Sequence, residues 1–217
     1  MASALAFMVL ISAILTGTAK SDPDMLQDIC VADPAAGVKV NGFACKNISA
    51  VNETDFFFNG LAKPGSTNNT MGSLVTGANV EKIAGLNTLG VSMSRIDYAP
   101  GGLNPPHTHP RATEMVFVLY GELEVGFITT ANVLISKRIK QGENFVFPRG
   151  LVHFQKNDGD VPAAVIAAFN SQLPGTQSIA VTLFASTPPV PNNVLTKAFQ
   201  VGTKEVEKIK SRLAPKK

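Results

Sequence analysis

Charge is scarce in this 217-residue chain: Asp, Glu, Lys and Arg together make up 16% of it. A chain kept unfolded by low hydrophobicity and high charge has the opposite balance, so disorder is excluded. The formal net charge is only +3. No basic stripe or interleaved aromatic platform accompanies it, which removes the footprint of a nucleic-acid binder. Mild basicity does suit weak association with an acidic polymer such as pectin, a cell-wall polysaccharide. Long apolar runs are missing too. The run Leu5–Leu15 has eleven residues, where a bilayer span needs about 20. There is no repeat of solenoid period and no low-complexity segment. Cysteine occurs twice and histidine three times. What is plentiful is apolar residue, 45% of the chain, enough for one sizeable core in a single β domain.

The Leu5–Leu15 run is followed by small residues, Thr16–Ala19, and then a polar start, Lys20–Asp24. This is the form of a secretory signal cleaved near Ala19, although no Lys or Arg precedes the apolar run. We therefore expect a leader over 1–20 and a mature domain over 21–217, soluble and extracellular. Two cysteines close together in a secreted chain, Cys30 and Cys45, point to one disulfide rather than two buried free thiols. Closing such a loop contributes on the order of 3 kcal/mol in the chain-entropy model. Sequons at Asn47, Asn52 and Asn68 are candidate glycan sites on surface loops.

Beyond the cysteines, residues 59–79 are polar and rich in Gly and Asn and read as loop. From about Leu86 the pattern turns to strands: Gly90–Tyr98, Glu114–Tyr120, Glu122–Ile128, Val133–Ile139, Asn144–Phe147, Val161–Phe169 and Ser178–Phe184. Short strands at 8–12 residue spacing with turn signals between them predict an all-β sandwich or barrel, here over about 86–186. Phe145 and Phe147 fall into its core by strand alternation. After Pro188–Pro191 the pattern becomes helical, over Asn192–Phe199 and Thr203–Leu213, within a region of about 190–214. Val206, Ile209 and Leu213 share one helix face. Such a stripe docks on its own domain or on a neighbouring subunit, and it is too narrow for a membrane role.

Two of the three histidines sit one residue apart in Pro105-Pro-His-Thr-His-Pro-Arg-Ala-Thr-Glu114. On a strand, residues i and i+2 point to one side, so His107 and His109 can present both imidazoles to one point. Glu114 has the opposite parity, and a turn at Pro110–Thr113 lets it begin the next strand facing the same point. Prolines at 105, 106 and 110 cannot donate ladder hydrogen bonds, which fits a strand end or edge. The third histidine, His153, follows the turn Pro148-Arg-Gly150. Three imidazoles and one carboxylate suit a divalent metal of the Mn, Fe, Co, Ni or Zn kind, and the lack of thiolate argues against a soft-metal site.

Two spaced motifs carry a resemblance. Gly101-x5-His107-x-His109-x4-Glu114-x6-Gly121 resembles the first motif of the cupin superfamily, and Gly142-x5-Pro148-x-Gly150-x2-His153-x3-Asn157 the second. The likeness is closer still to plant germins and germin-like proteins, through Ser21–Asp33 with the Cys30/Cys45 pair, Asn87–Met93, Ala99–Gly102 and Asn170–Gly175. It covers essentially the whole mature chain. The resemblance implies a cupin jelly-roll β-barrel with C-terminal helices, assembled as a trimer or as a hexamer built from three dimers. It implies Mn(2+) held by His107, His109, Glu114 and His153, which would also carry the reaction. It places the protein in the apoplast or cell wall.

The family offers two main activities, superoxide dismutation and oxalate oxidation. Dismutation asks for an open coordination position, a redox-capable metal and a proton source. Oxalate must be held in a defined pose by polar groups. In germins that oxidise oxalate two asparagines line the pocket. One matches Asn104, and the other position is Ser94 here. The shorter serine favours superoxide dismutase over oxalate oxidase. A non-catalytic role as extracellular ligand binder, cell-wall component or storage protein stays open, because fold does not fix function. No phosphate-cradling Gly-rich loop supports action on sugar nucleotides.

Overall fold

A computed structural model of the chain describes residues 27–214; the expected leader over 1–20 lies outside them. The first elements are two short strands, β1 (Ala32–Asp33) and β2 (Ala44–Cys45), paired antiparallel beside the Cys30–Cys45 disulfide. Then follow β3 (Ser73–Ala78), β4 (Ser92–Tyr98), β5 (Leu103–Thr108), β6 (Glu114–Tyr120), β7 (Glu122–Ile128) and β8 (Leu134–Lys140). The remaining strands are β9 (Asn144–Phe147), β10 (His153–Lys156), β11 (Ala163–Phe169) and β12 (Gln177–Ser178). They form two five-stranded antiparallel sheets. One has the order β12-β5-β10-β7-β8, the other β3-β4-β11-β6-β9.

Alternation along the strands builds the core between the sheets. Val116, Val118 and Phe147 from one sheet meet Leu123, Val125 and Ile139 from the other, all essentially inaccessible to solvent. Each such side chain contributes about 1.5–3 kcal/mol when fully buried. Phe145 packs against this cluster from a partly buried position. The tight turn between β6 and β7 depends on Gly121, at φ +75°, where a Cβ would meet that of Ala163 at 2.6 Å.

Two segments differ from their sequence reading. The 59–79 stretch is not all loop, because Ser73–Ala78 is the edge strand β3. It pairs with β4 from Ser73↔Tyr98 to Ala78↔Met93. Its Ser, Thr and Gly content hides a strand that cross-strand pairing creates. The second is Ser178–Phe184, expected as a strand. Only Gln177–Ser178 pair, with Thr108 and His107. Ile179–Phe184 is a helix, α1. A short apolar run suits either state, and here Phe184 is drawn into a second cluster with the helices α2 (Asn192–Phe199) and α3 (Thr203–Leu213). In that cluster Val206 is fully buried with Leu195, and Ile209 and Leu213 pack on it, so the α3 stripe docks on its own domain. Among the described residues no helix is long and apolar enough to cross a membrane.

Candidate metal centre

His107 is the penultimate residue of β5, His109 lies just beyond the strand, Glu114 opens β6 and His153 opens β10. β5 and β10 belong to one sheet and β6 to the other, so three imidazoles face one carboxylate across the space between the sheets. His107 and His153 are directly opposed in the β5–β10 ladder, with ring centroids 4.2 Å apart. The predicted turn at Pro110–Thr113 is present and reverses the parity of Glu114 as expected. The four ligand atoms lie within 4.8 Å of one another, and all four side chains are buried.

Hydrogen bonds fix the tautomers. His107 Nδ1 lies 2.8 Å from the carbonyl of Pro105, His153 Nδ1 2.8 Å from that of Leu151, and His109 Nδ1 3.1 Å from that of Gly175. A carbonyl only accepts, so each Nδ1 carries a proton, and it is each Nε2 that turns toward the centre of the cluster. Both His109 Nε2 and His153 Nε2 lie 3.0 Å from the same Glu114 oxygen, Oε2, and Glu114 Oε1 has no partner within the protein. Burial, with His153 alongside, pushes the His107 imidazole down to about 4, so it is neutral at physiological pH. Burial would raise the Glu114 carboxyl, but its bonds to His109 and His153 outweigh that and hold it at about 2. Once His109 and His153 give up the Nε2 protons that bond Glu114, the cluster presents three buried imidazole lone pairs and one carboxylate. A divalent cation satisfies such a set, and its nitrogen and carboxylate donors are those a Mn, Fe or Zn ion takes.

Two aromatic rings border the cluster. Phe147 stacks on His153 at 4.5 Å between centroids, and Phe169 meets His109 edge-on at 4.9 Å. These two rings are also the ladder partners of Glu114. Phe147, predicted as core, is thus both core and wall of the site.

A cavity of about 260 Å³ opens beside the cluster, and Ser94 and Asn104 both line it with His107, His109 and Glu114. Asn104 stands three residues before His107, a spacing that would put it on the other face of a regular strand. A bulge prevents this: between His153↔His107 and Gln155↔Asn104, two residues of β5 oppose one of β10. The extra residue is in Pro105-Pro106, and a bulge tolerates a missing N–H as a strand edge does. Gln155 is the residue that sequence reasoning missed. It is fully buried, two residues after His153 and therefore on its face, and its Oε1 accepts from Asn104 Nδ2 at 2.7 Å. The i, i+2 spacing from His153 was the available signal. Tyr98 donates to the same oxygen at 3.4 Å, and burial raises its phenol well above the usual range.

The other predicted positions are elsewhere. Cys30 and Cys45 form the disulfide. Asn47, Asn52 and Asn68 are exposed, and the first two accept hydrogen bonds from Ser49 and Thr54 of their own sequons. Asn157, last residue of the second motif, is structural: its amide donates to the carbonyls of Ala99 and Val161.

Residues 59–207 match the family model described as Cupin. The chain is 75% identical over 210 residues to germin-like protein 5-1 of Oryza sativa subsp. japonica, covering 97% of this chain and 94% of that protein. It is 74% identical over 194 residues to the rhicadhesin receptor of Pisum sativum, covering 89% of each. Among solved structures, an oxalate oxidase, solved also in complex with the substrate analogue glycolate, superposes with a TM-score of 0.86 at 49% identity. That likeness covers 88% of this chain and 98% of the other.

Proposed function

The chain belongs to the germin-like proteins of the cupin family, and we propose that it is a secreted, manganese-holding superoxide dismutase of the plant apoplast and cell wall. The observation that carries this reading is the charge balance of the site. Three neutral imidazoles and one carboxylate around a divalent cation leave a net charge of +1, and no Lys or Arg is among the residues lining the cavity. A small monoanion matches that charge. A dianion such as oxalate leaves one negative charge without a cation.

A bound manganese supplies the one-electron couple by which two superoxide ions and two protons become dioxygen and hydrogen peroxide. His107, His109 and His153 direct their Nε2 lone pairs at the ion, and Glu114 offsets part of its charge. The Phe147 and Phe169 rings exclude bulk water. The Ser94 hydroxyl can donate to a small anion in the cavity, while Asn104, its Nδ2 committed to Gln155, offers its Oδ1 as an acceptor. Tyr98 keeps its proton.

The disulfide and the exposed sequons support secretion, and the reading places a leader over 1–20 before a mature domain over 21–217. Exposed Met93, Met115, Phe117 and Val146 on the outer face of the β3–β9 sheet support assembly into trimers or hexamers. Oxalate oxidation is the second reading, favoured by the 49% identical oxalate oxidase and by Asn104. A binding role has its support in the relative named a receptor.

The test is superoxide dismutation by the Mn-loaded secreted protein beside a His107→Ala, His109→Ala double variant, with oxalate in parallel. Activity lost in the variant upholds the reading. Peroxide from oxalate alone replaces it with oxalate oxidase, and no turnover from fully metallated protein leaves the binding role.

A further inference from the structure

Two of the three histidines are oriented by their own stretch of chain, each taking its Nδ1 partner from the backbone two residues upstream. His109 is not. Its partner, the Gly175 carbonyl, lies 66 residues away in sequence. That carbonyl belongs to the segment Leu173–Thr176, which forms one wall of the cavity. One member of the cluster is therefore aimed by the cavity wall.

Arg111 holds that wall in place. Its Nε donates to the Leu173 carbonyl at 2.8 Å, and its backbone N–H donates to the Pro174 carbonyl at 3.3 Å. Its guanidinium lies over Gly175, so closely that a Cβ there would come within 2.5 Å of Nη2. Gly175 is also at φ +68°, so both backbone and space demand glycine. The segment just before is secured independently. The Ser171 carbonyl accepts from Ser92 Oγ at 2.7 Å, the Gln172 carbonyl accepts from the Val80 N–H at 3.1 Å, and the Gln172 side chain accepts from the Thr88 N–H. The tip, Leu173–Gly175, has one bond back to that anchor, from the Leu173 N–H to Ser171 Oγ at 3.3 Å, while its Leu173 and Pro174 carbonyls are held by Arg111.

We propose that Arg111 is a positioning residue for His109, acting through the Leu173–Gly175 segment whose carbonyl fixes the imidazole. The proposal rests on the reading of the four side chains as a metal-holding group. The partner of Nδ1 sets the direction of the lone pair on Nε2, and such outer contacts are worth about 10–100-fold in metal affinity. Arg111 is exposed and touches neither the cavity nor the cluster, so its effect passes through the loop.

The test compares Arg111→Ala with the wild type and with Arg138→Ala, a surface arginine on β8 whose partner is Glu122. Long-range proton–nitrogen correlation spectra of the metal-free proteins report the tautomer of each imidazole. In Arg111→Ala the His109 signals are expected to move while those of His107 and His153 stay. Mn(II) titration followed by paramagnetic resonance is expected to show about tenfold weaker binding and an altered spectrum of the bound ion. Arg138→Ala is expected to match the wild type in both. Unchanged His109 signals in Arg111→Ala overturn the proposal, and so does an equal disturbance of all three histidines. Should the wild type bind no Mn(II), the metal reading fails, and the imidazole spectra still decide the role of Arg111.

Discussion

Gln155 accepts a 2.7 Å hydrogen bond from the amide of Asn104, across the β5–β10 ladder and beside the bulge at Pro105-Pro106. This bond decides which end of the Asn104 amide is available in the cavity. Replacing Gln155 by Leu keeps the volume and removes the acceptor. The Asn104 amide then rotates freely, at a cost of about 1 kcal/mol in stability. Inhibition by a small anion such as azide is expected to change several-fold, while Mn(II) affinity holds, because Gln155 is not among the four clustered side chains. An azide constant equal to that of the wild type would sink this role for Gln155.

Glu114 is the one carboxylate among the four clustered side chains, and it serves both the metal-free and the loaded protein. Its Oε2 lies 3.0 Å from Nε2 of both His109 and His153, whose hydrogen bonds hold the carboxyl at about 2, and its Oε1 has no partner. Glu114→Gln turns one of those atoms into a donor and removes a buried charge. The variant is expected to lose about 100-fold in Mn(II) affinity and, metal-free at pH 7, to unfold at lower denaturant than the metal-free wild type, by about 2 kcal/mol, because a carboxyl held below its ordinary range stabilises the fold above that range. Urea unfolding after chelation, with Mn(II) titration of the same samples, measures both. A variant as stable as the wild type when metal-free contradicts this account of the Glu114 bonds.

The parts of the site legible in the sequence are those that depend on local parity. His107 and His109 share a face because they are two apart, and Glu114 joins them because Pro110–Thr113 turns the chain. The contacts that sequence could not offer are non-local. The bulge that brings Asn104 beside His107 is visible only as a register shift against β10, although the two prolines mark where it falls. Gly175 and His109 meet across 66 residues. The same holds for the fold. Thr203–Leu213 is a helix by its own periodicity, whereas β3 is a strand because β4 offers it a ladder, and Ile179–Phe184 is a helix because Phe184 has a cluster to enter.

Acid should destabilise the metal-free protein in two stages. His107 titrates at about 4 when folded and near 6.5 when unfolded. Between those values the unfolded chain binds the extra proton, so stability falls as pH drops from 6.5 towards 4, by on the order of 3 kcal/mol in all. Glu114 is at about 2 against an ordinary 4.5. It too gives the unfolded chain the extra proton in its window, so a further loss follows as pH falls from 4.5 towards 2. Unfolding free energies of metal-free protein at pH 7, 5.5 and 4.5 should therefore decline steadily. In His107→Gln the drop between 7 and 5.5 should be absent. A flat profile in the wild type refutes the assignment.

Arg95 and Asp97 form a buried pair on the outer face of β4, 2.9 Å apart and with side chains 9% and 4% exposed. The pair faces outward, away from the cluster, and its task is to hold the 61–65 segment. Asp97 Oδ2 accepts from the Gly65 N–H at 2.8 Å, and the Arg95 guanidinium donates to the Leu61 carbonyl at 3.3 Å. Tyr120 Oη lies 3.4 Å from both partners. The Asp97 bond raises the Arg95 guanidinium further above its already high range, so the charge persists at any working pH. Asp97→Ala strands that charge out of water and is expected to cost about 3–5 kcal/mol, with faster proteolysis between Leu61 and Gly65. The double variant Arg95→Met, Asp97→Leu removes both charges and should recover most of the loss. It would not restore the tether on Gly65, so cleavage there should stay fast in both. If the double variant is no more stable than Asp97→Ala, the loss comes from the tether and not from the stranded guanidinium.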